Sequence, residues 1–188
     1  MKFEELAALV FDCAQDTGVK FMAVGAIAAG AYGIPRSTRD VDLLVLIELP
    51  GAVDALIKAL DEWVEFDPQF AFDTITWGRR HVGMTRRMPP IKVELFETFD
   101  DPFVASEFAR RHQVYVPIIQ GATWQPTAEY VIVQKLRWGR NKDLDGARDV
   151  LAVQVPESLD MKYIETWCAA HGTTERLENA LAEIPPLD

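Results

Sequence analysis

The stretch Phe21-Met-Ala-Val-Gly-Ala-Ile-Ala-Ala-Gly-Ala-Tyr-Gly-Ile-Pro-Arg-Ser-Thr-Arg-Asp-Val-Asp-Leu-Leu-Val45 decides how the rest of the chain is interpreted. Its pattern predicts a strand, a glycine turn, a short helix and a second strand. The apolar run 19–24 stops at Gly25, where the absence of a Cβ allows a tight turn and close approach of a ligand. The Ala-rich segment 26–32 favours a helix. The β-branched and Leu run 41–47 then predicts a buried strand.

Two carboxylates stand at the start of that second strand. Asp40 and Asp42 are two residues apart, so in a strand they point to the same face. Two negative charges about 5–6 Å apart repel by ~3 kcal/mol at an effective dielectric near 20. A cation between them would offset this repulsion, and hard oxygen ligands suit Mg²⁺ better than Zn²⁺. The alternative interpretation is a solvated strand end, where Asp is common.

The order of these features resembles a known superfamily. Gly25-Ala26, a short helix, Arg36-Ser-Thr-Arg-Asp40-Val-Asp42 and an apolar strand are similar to the nucleotidyltransferases with a polymerase-beta-type core. The Arg-x-Thr-x-Asp-x-Asp form resembles the bacterial branch that includes the AbiEii-type toxins. That family carries Gly-Gly or Gly-Ser where this chain has Gly25-Ala26, so a side-chain hydroxyl is missing. The backbone N–H groups at the helix start still suit an anion.

The resemblance covers about residues 20–97 and, more weakly, 125–151. It implies an α/β (α+β) fold with a mixed sheet flanked by helices and followed by a C-terminal helical bundle. We therefore expect a nucleotidyltransferase core at 1–122 and a C-terminal helical region at 123–188. Apolar spacing predicts further helices and strands. The helices are expected at 3–17, 52–64, 104–111, from about 125 through 138, 159–170 and 175–184, and the strands at 70–77, 81–87, 91–97 and 113–119.

In the resembled family a third acidic residue, on a strand next to the Asp-x-Asp strand, completes the metal site. Val93-Glu94-Leu95 matches that pattern. Asp40, Asp42 and Glu94 are therefore the predicted catalytic and metal-binding residues, holding Mg²⁺ as two ions when substrate is bound. Glu97 is the alternative third carboxylate if the faces of its strand are exchanged.

The resemblance also implies a phosphate-binding set. Its predicted members are Gly25, Ala26, Arg36, Arg39 and Lys135. Lys135 matches a helix lysine that points toward nucleotide phosphates in the family, and the alternative is a surface lysine with a buried stem.

Other polar residues are expected to be mainly structural. Asp143, Asp145 and Asp149 are expected to form ion pairs with Arg140, Lys142 or Arg148, with Asp143 the candidate exception to a structural role. Ser37 and Thr38 are expected to stabilise their turn. Gly78-Arg79-Arg80 is expected to be a hairpin turn, whose arginines line a cleft with Trp77 or form a basic surface. His81 is expected to be structural rather than a catalytic base.

Composition limits the class of protein. The 188 residues are 49% hydrophobic, as in an ordinary globular chain. The sequence contains no apolar run of the roughly 18 residues that a membrane span needs, and acids follow Met1, so we expect a cytoplasmic protein. Cys13 and Cys168 have no metal-site spacing and are expected to be reduced thiols. The net charge of −10 disfavours broad binding to nucleic acid.

The expected activity is transfer of a nucleoside monophosphate from a nucleoside triphosphate to an acceptor hydroxyl. The acceptor is left open between a tRNA end, a protein and a small molecule of the aminoglycoside kind. Membership of the toxin-like branch would add an antitoxin partner. The alternatives are a catalytically inactive nucleotide-binding or regulatory module on the same scaffold, and a purely structural α/β protein.

Overall fold

The computed structural model describes residues 1–48, 50–73, 78–98 and 100–184. Helices form where apolar residues recur at helical spacing, so that one side of each packs on the core. The helices are α1 Phe3–Asp16, α2 Gly25–Tyr32, α3 Ala52–Leu60, α4 Pro102–Arg110, α5 Ala128–Trp138, α6 Asn141–Gln154, α7 Met161–His171 and α8 Thr174–Ala182. The strands are β1 Phe21–Ala23, β2 Asp40–Val45, β3 Val64–Phe66, β4 Ala71–Phe72, β5 Arg79–Thr85, β6 Lys92–Glu97, β7 His112–Val116 and β8 Gly121–Gln125.

The main sheet is mixed. Its strand order is β1-β2-β6-β5-β3, with β4 pairing to β5. β2 and β6 run parallel, and the other pairs are antiparallel. A separate pair, β7 and β8, forms a second sheet. Helices flank the main sheet, and the last helices of the chain form a C-terminal group. The predicted mixed α/β architecture is therefore confirmed.

Alternation along β2 divides the core between the two faces of the sheet. Val41, Leu43 and Val45 are fully buried in a cluster with residues of α1 and α3. Leu44 belongs to a second cluster, built with residues of α4 to α8. Asp40 and Asp42 share the face of Leu44 because they stand at alternate positions of the strand. The two carboxylates therefore face the C-terminal helices.

Three local predictions are wrong. Val64 begins β3 instead of ending a helix, because α3 stops at Leu60. Arg79 and Arg80 belong to β5 and pair with β4, so they lie in the strand and not in its turn. Gln125 ends β8 instead of beginning a helix, because residues 121–125 pair with β7, and α5 begins only at Ala128.

The predicted division of the chain stays a prediction. Its boundary, between residues 122 and 123, falls inside β8, which pairs with β7. Within residues 1–48, 50–73, 78–98 and 100–184, no helix is both long and apolar enough to cross a membrane.

A buried carboxylate joins α4 to the start of α5. Glu107 is 0% exposed and accepts hydrogen bonds from the backbone N–H and the hydroxyl of Thr127. The Tyr163 hydroxyl donates to it at 3.4 Å. Thr127 is the predicted N-cap of α5, and its hydroxyl accepts from the Tyr130 N–H at 3.3 Å. Burial raises the pKa of Glu107 from 4.5 to about 7, although the hydrogen bonds from Thr127 oppose the shift.

We expect Glu107→Gln to remove a pH dependence of stability. A raised pKa in the folded state means that this stabilising contribution is complete below about pH 4.5 and is lost as the pH rises through about 7. At pH 8 the variant should be more stable than the wild type by up to ~3 kcal/mol, and the difference should fall below ~1 kcal/mol at pH 5. Urea unfolding at pH 5, 6.5 and 8 measures it, with the exposed Glu4→Gln as the charge-matched control. A difference that does not change with pH would contradict this expectation.

Candidate functional site

Three acidic side chains stand side by side on β2 and β6. The parallel register pairs Asp40 with Lys92 and Asp42 with Glu94. Cross-strand partners share a face of the sheet, so Glu94 lies beside Asp42. Asp40 stands two residues before Asp42 on β2 and therefore lies on the same face. The backbone N–H of Val24 donates to the Asp42 carbonyl at 2.9 Å and fixes the end of β1 against this point. The fold thus brings the three predicted carboxylates together.

Asp42 is the electrostatic centre of this cluster. Its Oδ1 atom is buried and has no hydrogen-bond partner. Burial, followed by the negative charges of Glu94 and Asp40, raises the pKa of Asp42 well above its usual range, and Lys92 opposes the shift. A buried carboxylate oxygen without a partner is unfavourable in a folded protein. A hard divalent cation would satisfy it, so the chemistry of these oxygens fits Mg²⁺.

Two cationic side chains already contact Glu94. Lys92 Nζ lies 2.7 Å from Glu94 Oε2 and 3.6 Å from Asp40 Oδ1, and Arg80 Nη1 lies 3.1 Å from Glu94 Oε1. Burial lowers the pKa of Lys92, but its hydrogen bond to Glu94 and the charges of Glu94, Asp40 and Asp42 outweigh that effect and raise it. Among the described residues, no three His, Cys, Asp or Glu side chains are arranged as an assembled metal site. The cluster therefore consists of three carboxylates together with the side-chain cations of Lys92 and Arg80.

Gly25 approaches the cluster too closely for any other residue. Its φ is +64°, and a Cβ placed on it would lie 2.1 Å from Asp42 Oδ2. Such a separation is well inside van der Waals contact, so the carboxylate and the turn share space that only glycine leaves open. Gly25 is also the first residue of α2, whose N-terminal N–H groups attract anions.

The turn before β2 is fixed by Thr38. The Asp40 backbone N–H donates to the Thr38 hydroxyl at 3.1 Å, as in the side-chain turns that Ser and Thr form. The prediction that Thr38 stabilises the turn is confirmed. This hydrogen bond determines where Asp40 enters the strand.

A cleft of about 440 Å³ opens over the cluster, between the sheet and α5 and α6. Every residue predicted for the site lines it: Gly25, Ala26, Arg36, Arg39, Asp40, Asp42, Glu94 and Lys135. The roles of these residues stay predictions, but their convergence on one cleft is a property of the fold.

The predicted phosphate-binding cations occupy different environments in the cleft. Arg39 is exposed. Arg36 Nη2 lies 2.6 Å from Asp149 Oδ2 on α6. Lys135 is 8% exposed, with its Nζ 3.8 Å from Asp143 Oδ1. Burial lowers the pKa of Lys135, although Asp143 opposes the shift. Lys135 is therefore a buried lysine of the cleft and not a surface lysine.

The acidic residues of α6 are all ion-paired, two of them with expected partners. Asp143 lies 2.5 Å from Arg140, and Asp145 pairs with Arg148. Asp149 pairs with Arg36 rather than with a neighbour on its own helix. Asp143 also contacts Lys135, so α6 restrains two of the cleft cations.

The alternative third carboxylate has another partner. Glu97 Oε1 lies 2.7 Å from His81 Nε2, and strand alternation places Glu97 with Leu95 rather than with Glu94. This contact agrees with a structural role for His81. Trp77, for which a position in the cleft was one of two alternatives, lies outside the described residues. Arg80 does line it, whereas Arg79 stacks over the Phe70 ring at 4.9 Å.

Two residues of the site were not predicted. Lys92 shares the face of Glu94 by strand alternation, a signal that was present in the sequence. Gly146 of α6 has no comparable signal. A Cβ on Gly146 would lie 2.8 Å from Lys135 Nζ, so this glycine provides the space in which the lysine ends.

Comparisons with known proteins support the fold. No family model and no curated protein matches the sequence. Among the solved structures that match is the solution structure of the antibiotic-resistance factor ANT(2'')-Ia, with a TM-score of 0.59, 14% identity and coverage of 97% of each chain. ANT(2'')-Ia in complex with adenylyl-2''-tobramycin matches with a TM-score of 0.56 and 15% identity, over 92% of this chain and 98% of that one.

A third match also covers nearly the whole of both chains. It is an antigenic nucleotidyltransferase-like protein from Paracoccidioides brasiliensis, with a TM-score of 0.55 and 17% identity over 96% of this chain and 92% of that one. Identities this low establish likeness of fold. The AbiEii-type branch stays a prediction. The structural neighbours of this chain are nucleotidyltransferases, and the chain has their fold.

Proposed function

We propose that this protein is a Mg²⁺-dependent nucleotidyltransferase that transfers a nucleoside monophosphate from a nucleoside triphosphate to an acceptor hydroxyl. One observation carries the proposal. The parallel register of β2 and β6 sets Asp42 beside Glu94, with Asp40 on the same face and the Gly25 turn in contact with Asp42. Buried polar atoms are normally hydrogen-bonded, so a purely structural strand end would not leave a carboxylate oxygen buried without a partner at the floor of a cleft.

The residues divide into two groups by charge. Asp40, Asp42 and Glu94 would hold Mg²⁺, which when bound neutralises negative charge on the triphosphate. The N–H groups at the start of α2, at Gly25 and Ala26, would receive a phosphate. Arg36, Arg39 and Lys135 line the same cleft and supply the remaining positive charge. Lys135 is the most restrained of these cations, because Asp143 and the space at Gly146 fix where its ammonium ends.

The reaction exchanges a phosphoanhydride linkage for a phosphate ester. The acceptor oxygen bonds to the α-phosphorus, the bond from that phosphorus to the β-phosphate oxygen breaks, and pyrophosphate leaves. The acceptor hydroxyl gives up its proton to the surrounding water, and Glu94 would orient that hydroxyl for the transfer. Because Glu94 is held by Lys92 and Arg80, its carboxylate has a defined position from which to do so.

The structural neighbours favour a small hydroxyl-bearing acceptor. ANT(2'')-Ia has been solved with adenylyl-2''-tobramycin, the product of adenylyl transfer to an aminoglycoside. The net charge of −10 disfavours a long nucleic-acid footprint on this chain. We therefore place a small molecule before a protein hydroxyl or a tRNA end, and an antitoxin partner remains part of the toxin-like alternative.

A second candidate is a nucleotide-binding module without turnover. Ala26 in place of a hydroxyl residue and the ion pair of Lys92 with Glu94 favour it. It differs from the enzyme in one observable respect, because it would bind a nucleoside triphosphate without releasing pyrophosphate.

The test is a labelling screen. Purified protein is incubated with Mg²⁺, each of the four α-³²P nucleoside triphosphates and a cell lysate or an aminoglycoside panel. The proposed function requires pyrophosphate release and a labelled acceptor. Binding by calorimetry without labelling would select the inactive module, and absence of nucleotide binding would refute both.

A further inference from the structure

The activity proposed above uses Lys92 only to hold Glu94, yet its ammonium contacts two of the three carboxylates. Its ammonium lies 2.7 Å from Glu94 Oε2 and 3.6 Å from Asp40 Oδ1. It stands two residues before Glu94 on the same face of β6, directly across from Asp40. Its position is therefore set by the strand as well as by its charge.

Arg80 completes the other side of Glu94. It reaches Glu94 Oε1 at 3.1 Å from β5, whereas Lys92 reaches Oε2. Each oxygen of this carboxylate thus has its own protein cation. The Glu94 side chain is only 9% exposed, so water screens these contacts weakly.

Charge counting gives the consequence. Three carboxylates and two cations give the cluster a net charge of −1. One divalent ion would bring that charge to +1. Three carboxylates alone would reach the same +1 only with two divalent ions. Lys92 and Arg80 together therefore supply as much positive charge as one metal ion.

We propose that Lys92, supported by Arg80, replaces one of the two divalent ions that the resemblance implies, so that the site binds one Mg²⁺ per nucleotide. This inference rests on the proposed function for the identity of the nucleotide. Lys92 is a positioning residue here: it holds Glu94 and Asp40 together where a second metal ion would otherwise bridge them. Asp42 Oδ1, a buried oxygen without a hydrogen-bond partner, would be a ligand of the single ion.

The main experiment counts ions. Full-length protein is dialysed to equilibrium against excess Mn²⁺ and α,β-methylene-ATP, and both are measured inside and outside. The wild type should retain one Mn²⁺ per nucleotide, and Lys92→Ala should retain two. Lys92→Arg, which keeps the charge, should retain one, and Lys20→Ala, which removes an exposed lysine paired with Glu48, should match the wild type. Two Mn²⁺ in the wild type, or one in Lys92→Ala, would overturn the proposal.

A second arm omits the nucleotide and so separates this inference from the proposed function. Without the competing ammonium, Lys92→Ala should bind Mn²⁺ about tenfold more tightly than the wild type, as measured from the spectrum of free Mn²⁺. Lys92→Gln serves as a second variant if the alanine variant folds poorly. Equal or weaker binding in both would overturn the role of Lys92. Failure of the wild type to retain the α,β-methylene analogue of any of the four nucleoside triphosphates would refute the proposed function and leave this comparison decisive for Lys92.

Discussion

Asp42→Asn is expected to abolish nucleotidyl transfer and, at the same time, to stabilise the fold. Activity should fall about 10³-fold or more, because the substitution removes the charge that Asp42 would offer to a metal ion and metal stabilisation is worth several kcal/mol. The same charge is unfavourable in the metal-free fold. Burial and the neighbouring Glu94 and Asp40 raise the pKa of Asp42, so its contribution to stability is lost as the pH rises through that raised pKa. At pH 8 the variant should gain at least ~1 kcal/mol.

Two measurements check this expectation: pyrophosphate release with the acceptor found by labelling, and urea unfolding at pH 8 without divalent ions. Asp145→Asn is the matched control, because Asp145 pairs with Arg148 on α6 and touches none of the three carboxylates. The control should keep its activity. Retained activity in Asp42→Asn would remove the metal role from Asp42. A loss of stability at pH 8 would mean that the fold holds this charge favourably.

Opposite effects on activity and stability would be informative about how the site is built. A carboxylate kept only for structure is held by hydrogen bonds and ion pairs, as Asp101 is by the Phe103 N–H at 2.9 Å and by Arg137 at 2.7 Å. Asp42 instead keeps a buried oxygen unpartnered beside two other acids. Such an arrangement is tolerated where function requires it.

Local patterns in the sequence predict the acidic face of the sheet. Strand alternation alone places Asp40 with Asp42 and separates Glu94 from Val93 and Leu95, because the period of a strand is two. The same rule could have identified Lys92. Alternation does not specify which strand lies next to which, so the pairing of Asp42 with Glu94 required the resemblance or the structure.

Contacts that join distant parts of the chain could not be predicted. Arg36 pairs with Asp149 across 113 positions, and no local pattern links them. β8 was missed because Gly121–Gln125 is short and its backbone hydrogen bonds depend on β7. The space that Gly146 gives to Lys135 depends on how α5 and α6 pack, which the spacing of apolar residues does not specify.

Gly25→Ala is expected to impair both stability and activity. Two other glycines of the chain serve as controls that separate backbone strain from the clash with Asp42. At Gly25 the added Cβ combines a φ of +64° with a separation of 2.1 Å from Asp42 Oδ2. Gly18 has a φ of +72° and no atom within 4 Å of the added Cβ, so Gly18→Ala carries the backbone strain alone, about 1 kcal/mol. Gly30 lies within α2 without a positive φ, so Gly30→Ala should stabilise the helix by up to ~1 kcal/mol.

The contact with Asp42 can then be isolated by a double-mutant cycle. Gly25→Ala should destabilise the wild type by ~3 kcal/mol, and only by about the Gly18→Ala amount when Asp42→Ala has removed the clashing carboxylate. Urea unfolding of the four proteins measures the difference, and pyrophosphate release should be lost in Gly25→Ala but kept in Gly18→Ala and Gly30→Ala. If Gly25→Ala is equally destabilising in both backgrounds, the glycine is required by the turn alone. A coupling energy of ~2 kcal/mol between the two substitutions would instead mean that a side chain at position 25 and the Asp42 carboxylate compete for the same space. Glycine would then be required at position 25 because of Asp42.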